Sequence, residues 1–226
     1  MYKAEMHAHT SDTSPCARVP AADMVRAMAQ ARYDIVVVTD HFNNYVLEAF
    51  PGTAEERVER YLAGYRNACR AAKAEGIRVL LGAEVCLHHM GPEDYLLYGI
   101  TEQFLYDHPQ MYEYTQEQLY RECVKADVLL VQAHPCRSYC TPSDPRFLHG
   151  VEVINTNCRH DNGNEKALAW WKEQRGAGYC LIPTSGSDYH QTEDIGGGGI
   201  RLTRPVYDAA GLADVLRSGE YELREG

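Results

Sequence analysis

Short apolar runs that end in, or carry, His, Asp or Glu recur along this chain, and segments with helical spacing separate them. "YKAEMHAH" carries His7 and His9, "DIVVVTDH" ends on Asp40 and His41, and "IRVLLGAEV" carries Glu84. "DYLLYGI" follows, then "VLLVQAHP" with His134, "GVEVINTN", and "CLIPTSGSDYH" ending on Asp188 and His190. Runs this short and apolar, rich in β-branched residues and alternating with helices, predict strands of a parallel sheet with both faces covered. About seven of them predict an α/β fold, a distorted (β/α)7 TIM-like barrel rather than a perfect eightfold one. The polar clusters would then meet at the C-terminal ends of the strands, where barrel sites are built.

The intervening helices are read from spacing and caps. "AADMVRAMAQARY" places Met24, Val25 and Met28 on an inner face. "TAEERVERYLAGYRNACRAAKAEG" reads as one long charged helix with Gly76 as its C-cap. "TQEQLYRECVKAD" opens on Thr115, with "NEKALAWWKEQRGAG" and "LADVLRSGEY" later. No repeat or linker interrupts the pattern, so residues 1–226 are expected to form a single domain.

Charge and cysteine content exclude several function classes. The net charge of −10 lacks the Lys and Arg excess that a nonspecific duplex or membrane surface requires, so extended nucleic acid is not an expected partner. No run approaches the roughly 18 apolar residues of a membrane span. "MYKAEMHAHT" has neither the basic nor the apolar part of a secretory signal. Eight cysteines in a chain of this kind predict free or metal-bound thiols in a reducing, cytoplasmic setting.

His7 and His9 are two apart, which on a strand points both imidazoles the same way, and Asp188 and His190 repeat that spacing. Each cluster alone is weak: H-x-H also occurs by accident, Asp40 could cap a turn, and Glu84 could be a solvated loop residue. Five clusters at strand ends are a poor fit to chance. Imidazoles and carboxylates converging on one point are the donor set of a multinuclear metal hydrolase.

The order H-x-H, T-D-H, G-x-E, A-H-P and G-S-D-x-H, from residue 5 to about residue 200, resembles the PHP (polymerase and histidinol phosphatase) superfamily. The resemblance implies a stand-alone phosphoesterase barrel with two or three divalent metal ions, Zn, Mn or Fe. It assigns His7, His9, Glu84 and Asp188 to a first metal, with Glu84 bridging to a second that His134 also binds. His41 and His190 fall to a third, and Asp40 to orienting a ligand imidazole. The chain departs from the family in two places. "TSDTSPCAR" lacks the further early His of the third site, leaving Asp12 or Cys16 to replace it. The additional ligand of the second site is left to His88 or His89.

The activity implied is hydrolysis of a phosphate monoester of a small molecule by a hydroxide bridging two metals, as in histidinol phosphatases or nucleotide phosphatases. The expected partner is a small phosphorylated substrate. His160 is the candidate acid for the leaving group, and Arg137 and Arg18 are the candidate cations for the phosphoryl oxygens. Cys158 is a further candidate ligand, and Cys136 and Cys140 are read as free thiols near the rim. His108 and His149 are read as surface residues, and Gly196 to Gly199 as a mobile lip or a plain connection. Tyr45, Tyr106, Tyr112, Tyr114 and Tyr139 are candidates to line a pocket. Two alternatives remain open: a metal-binding module without catalysis, and a hydrolase of C–N bonds, for which no strand-end Lys is evident.

Overall fold

The seven expected strands all form. The computed structural model describes residues 1–89 and 91–224. Its elements run β1 (Tyr2–Ala8), α1 (Ala21–Gln30), β2 (Ile35–Val38), β3 (His41–Phe42), α2 (Asn44–Leu47), α3 (Ala54–Tyr61), α4 (Ala63–Glu75) and β4 (Arg78–Cys86). They continue through β5 (Asp94–Tyr98), α5 (Glu102–Asp107), α6 (Gln116–Lys125), β6 (Leu129–Gln132), β7 (Gly150–Asn155), α7 (Asn164–Gly176), β8 (Ile182–Gly186), β9 (Ile200–Leu202), α8 (Ala209–Ser218) and β10 (Tyr221–Leu223).

The sheet order is β10-β9-β1-β2-β4-β5-β6-β7-β8, with β3 paired to β4, so three short strands add to the seven expected. Beyond β8 the chain returns to β1 through a parallel bridge between Ala8 and Tyr189. His9 N donates to Tyr189 O at 2.8 Å and Tyr189 N to His7 O at 3.0 Å. The result is a nearly closed, distorted barrel of the TIM-like kind. At the opposite end of β1, Tyr2 to Ala4 pair antiparallel with β9 instead.

One strand breaks the parallel rule. β5 runs antiparallel to both β4 and β6, so its first residue, Asp94, lies at the rim where the other strands end. Strand β2 is buried along its whole length, as its Ile-Val-Val-Val sequence requires. Helix α1 buries Met24, Val25 and Met28 against the barrel and α4.

The expected long helix is two helices, α3 and α4. The Thr13 hydroxyl donates to Tyr61 O at 2.8 Å and accepts from Gly64 N at 3.1 Å, intercepting the backbone at the join. Gly76 ends α4 in the left-handed conformation, and Thr115 opens α6 with a capping box. Most of the glycine run is packed: Gly197 faces Thr156, Gly198 abuts the Gly186 backbone and Gly199 the Ala4 carbonyl, while Gly196 meets open space. Tyr112 is buried against Phe42, whereas Tyr45 and Tyr139 are exposed. His149 is half-buried, its Nδ1 accepting from Leu130 N, because burial keeps it neutral with a pKa brought down to about 4. All eight cysteines are free. Among the described residues, no helix is long and apolar enough to cross a membrane.

Candidate metal centre

The alternation of β1, continued one residue past its end, turns both His7 and His9 inward, and both are fully buried. Their Nε2 atoms stand 3.1 Å apart. Glu84, from the inner face of β4, reaches between them, with Oε1 3.1 Å from His7 Nε2 and Oε2 3.3 Å from His9 Nε2. The same carboxylate meets His41 Nδ1 at 2.8 Å and His134 Nε2 at 3.3 Å. Asp188 Oδ1 lies 3.5 Å from His7 Nε2, 3.4 Å from His9 Nε2 and 3.3 Å from His190 Nδ1.

These contacts form overlapping groups whose ligand atoms lie within 4.8 Å of one another: His7, His9 and Glu84; His7, His134 and Asp188; His9, His41 and His190; and His41, Glu84 and Asp94. Neither Glu84 oxygen has a hydrogen bond, although both are buried and faced by imidazole nitrogens, and His9 Nδ1 and His41 Nδ1 are also unpartnered. Orphaned buried acceptors and converging nitrogen lone pairs are costly without a cation. The donor set therefore fits divalent metal ions.

Electrostatics agree. Burial works against every charge here, yet the carboxylates Glu84, Glu152 and Asp188 hold His7 well above the usual histidine range. Burial and the neighbouring His190 and His41 hold His9 well below it. The His7 charge outweighs burial at Glu84 and Asp188 and keeps both ionised. Asp94 goes the other way, pushed up to about 6 by burial and by Glu84.

Several predicted residues are turned to other tasks. Asp12 Oδ2 accepts from Ala21 N at 2.7 Å and its other oxygen from Asn67, so it holds the start of α1 and not an ion. His88 and His89 form an exposed group with Glu113, apart from the centre. The carboxylate that approaches the second position is Asp94, 3.9 Å from His134 Nε2. Asp40 touches no imidazole side chain. Its Oδ1 accepts from Thr10 N and Ser14 Oγ and its Oδ2 from Thr10 Oγ1, which pins the loop after β1. Cys16 lies on the same loop and is exposed. Burial raises its thiol pKa, but hydrogen bonds to His190 and His41 prevail and bring it down to about 6.

Arg137 is buried, and its Nη2 meets Asp188 Oδ2 at 2.6 Å while Asn155 and Asn162 accept from the same guanidinium. Arg18 is exposed, its backbone N held on His190 O at 2.8 Å. His160 is exposed with its ring 6.5 Å from that of Tyr139. The Cys158 thiol lies 3.8 Å from Asp194 and the Cys140 thiol 3.9 Å from His134 Nδ1.

Glu152 is the residue sequence reasoning missed. From β7, its Oε1 accepts from His7 Nδ1 at 3.0 Å and its Oε2 from His134 N at 3.0 Å and Asn155 Nδ2 at 2.9 Å. The only signal was a Glu inside an apolar strand. Gly186 makes room for this pair: a Cβ there would lie 2.5 Å from His7 Cβ and 2.7 Å from Glu152 Oε1. His134 and Asp188 both take positive φ, 26° and 50°, conformations that L residues rarely hold. Hydrogen bonds from His134 N to Glu152 and from Asn157 Nδ2 to Asp188 O maintain them.

The family model that matches this sequence is the PHP domain, over residues 5–176. The chain belongs to the PHP domain family. His7, His9, His41, Glu84 and His134 fall inside the matched segment, and the barrel carries Asp188 and His190 to them from beyond its end. No curated protein sequence matches the chain.

Solved structures share the fold of this PHP domain at low identity. One is a two-domain Bacteroides vulgatus protein described as containing a PHP-like metal-dependent phosphoesterase, with a TM-score of 0.67 and 15% identity over 99% of this chain and 64% of that one. This PHP domain thus spans less than two thirds of that protein. Another is PsfC from Pseudomonas syringae, with a TM-score of 0.62 and 18% identity over 95% of this chain and 87% of that one. A third is the lesion-specific endonuclease PfuEndoQ from Pyrococcus furiosus, with a TM-score of 0.60 and 12% identity over 98% of this chain and 57% of that one.

Proposed function

We propose that this PHP domain hydrolyses phosphate monoesters of small molecules with the help of two or three divalent ions. The observation that carries the reading is Glu84, a buried carboxylate with both oxygens unbonded and four imidazoles around it. When bound, the ions would withdraw charge from the phosphoryl oxygens and make a water nucleophilic near neutral pH.

The chain's own residues do the rest. His7, His9, Glu84 and Asp188 would hold one ion, with Glu84 shared towards a second held by His134 and Asp94. His41 and His190 would hold a third. Asp188 offers only Oδ1 to the centre, because Arg137 occupies Oδ2. Arg137 is therefore a positioning residue, and the exposed Arg18 is left as the cation for a phosphoryl oxygen. His160, exposed at the mouth, is the proton donor for the leaving oxygen. The net charge of −10 favours a compact substrate over a polyanionic strand.

The test is phosphate release from histidinol phosphate, mononucleotides, a 3′,5′-bisphosphate and an aryl phosphate, with Mn- or Zn-loaded protein and a chelator control. Metal-dependent release is the expected result, abolished together with tight metal binding in Asp188→Asn. No release from fully metallated protein would overturn it in favour of a binding role or C–N bond hydrolysis.

A further inference from the structure

We propose that His88, His89 and Glu113 form a peripheral site for a Zn-like divalent ion, separate from the barrel centre, that fastens the connection between β4 and β5. The site shares no residue with the centre, so it does not depend on the proposed hydrolysis.

The connection starts where the sheet stops pairing. Cys86 and Asp94 are the last partners of β4 and β5. At 88–89 the chain turns. On a strand two successive side chains would point to opposite faces. In the turn the two imidazoles meet instead, ring centres 4.6 Å apart and edge to face at 69°. The third donor comes from the 3-10 turn Met111–Glu113. His88 N donates to Tyr112 O at 2.8 Å, and His89 Nε2 lies 2.8 Å from Glu113 Oε2. One ligand atom from each of the three side chains falls within 4.8 Å of the others.

The site is open but its platform is firm. Met111 and Tyr112 are buried and Tyr112 packs on Phe42, so Glu113 projects from anchored backbone. The His89 and Glu113 side chains are 66% and 39% exposed, so an ion can enter from solvent and keep water in its remaining positions. A single His–Glu contact on a surface contributes little, and it does not account for the second imidazole beside it. Donors already held near one another also lower the ordering cost of binding.

The donor set selects the ion. Two imidazoles and a carboxylate with open positions are a ligand set of Zn. They suit Zn, Cu, Ni or Co better than Mn, Mg or Ca, which seek oxygen donors. The far end of the same connection is already tied: Glu93 Oε1 accepts from Thr141 Oγ1 at 2.9 Å, and Pro92 O from Cys140 Sγ at 3.6 Å. An ion at 88–89 pins the near end as well. The two strands so joined carry Glu84 and Asp94 at the rim.

The experiment titrates metal-free protein with Zn by calorimetry and counts the bound ions by elemental analysis. The wild type is expected to hold one ion more than the double variant His88→Ala, His89→Ala, with the ions common to both bound equally tightly. Glu113→Gln should weaken that extra ion alone. All three side chains are exposed, so the substitutions leave the core untouched. Zn should also slow amide hydrogen exchange at 87–89 and 111–113 more in the wild type than in the double variant. Equal ion counts, or equal slowing in both proteins, would overturn the proposal. A wild type whose only ion is lost in the double variant would uphold this site and overturn the reading of the centre.

Discussion

His7 Nδ1 lies 3.0 Å from Glu152 Oε1, and both side chains are wholly buried. Donation to this carboxylate fixes a proton on Nδ1 and leaves Nε2, facing Glu84 and Asp188, as the nitrogen that binds an ion once its own proton is displaced. A carboxylate behind an imidazole also raises its strength as a ligand. Because Glu152 Oε2 holds the His134 backbone as well, one side chain sets two candidate ligands at once.

Glu152→Gln should therefore weaken metal binding by about 10- to 100-fold. An amide can accept at only one end, so either His7 Nδ1 or the His134 N–H must face an NH2 group. Calorimetric titration of metal-free protein with Zn measures the loss. An unchanged affinity would show that Glu152 is mere packing.

Arg137→Met removes one partner of a buried ion pair, with side chains only 5% and 3% exposed. Losing one member of such a pair costs about 3–5 kcal/mol, because the remaining charge stays buried. Urea unfolding in the presence of a chelator should show that loss. Added metal should recover part of it by neutralising Asp188, and a loss below about 1 kcal/mol would count against a structural role for the arginine.

The pH dependence of the metal-free protein follows from two histidines. Burial opposes charge on His134, but hydrogen bonds to Cys140 and Glu84 raise it to about 10. Burial likewise opposes charge on His190, and Asp188 and Cys16 raise it to about 9. Both lie above the unfolded value of about 6.5, so their stabilising contribution is complete below that pH and is lost as pH rises through about 9 to 10. The Tm in chelator should fall across this window. Metal must displace the same protons, so affinity should climb over the same range, with proton release visible in buffers of different ionisation enthalpy. A flat Tm and no proton release would contradict the assignment.

Asp12→Ala separates the two acceptors of the early loop. It should cost about 1 kcal/mol by exposing a helix N-terminal N–H, with metal stoichiometry intact. Loss of one equivalent of metal in this variant would return Asp12 to the ligand set.

Much of the centre was legible because the period of a strand is two. H-x-H, spaced for one face, needed only the expectation that strand ends converge, whereas D-x-H has the same spacing but lies past the end of β8 with Asp188 in a left-handed conformation. Asp94 was hidden by direction: β5 runs antiparallel, so its ligand sits at a strand beginning, where the rule for parallel barrels does not look. Glu152 was hidden by position, inside a strand rather than after it, where a charge reads as an exception to an apolar run. The claim of the α1 backbone on Asp12 was hidden too, because spacing carries no record of it. The long helix over 53–76 failed for a similar reason: the Thr13 hydroxyl that divides it lies 40 or more positions away in sequence.

The bridge between Ala8 and Tyr189 joins the first strand to the segment after β8, and the residues flanking it are His7, His9, Asp188 and His190. The seam of the barrel is therefore also the wall of the metal centre. A chain emerging from the ribosome lacks Asp188 and His190 until its late strand has been made and has found β1. Pairings of such long sequence separation form slowly. Ion capture then marks the completed circuit of the sheet: any copy that carries its full complement of metal has, by that fact, finished folding.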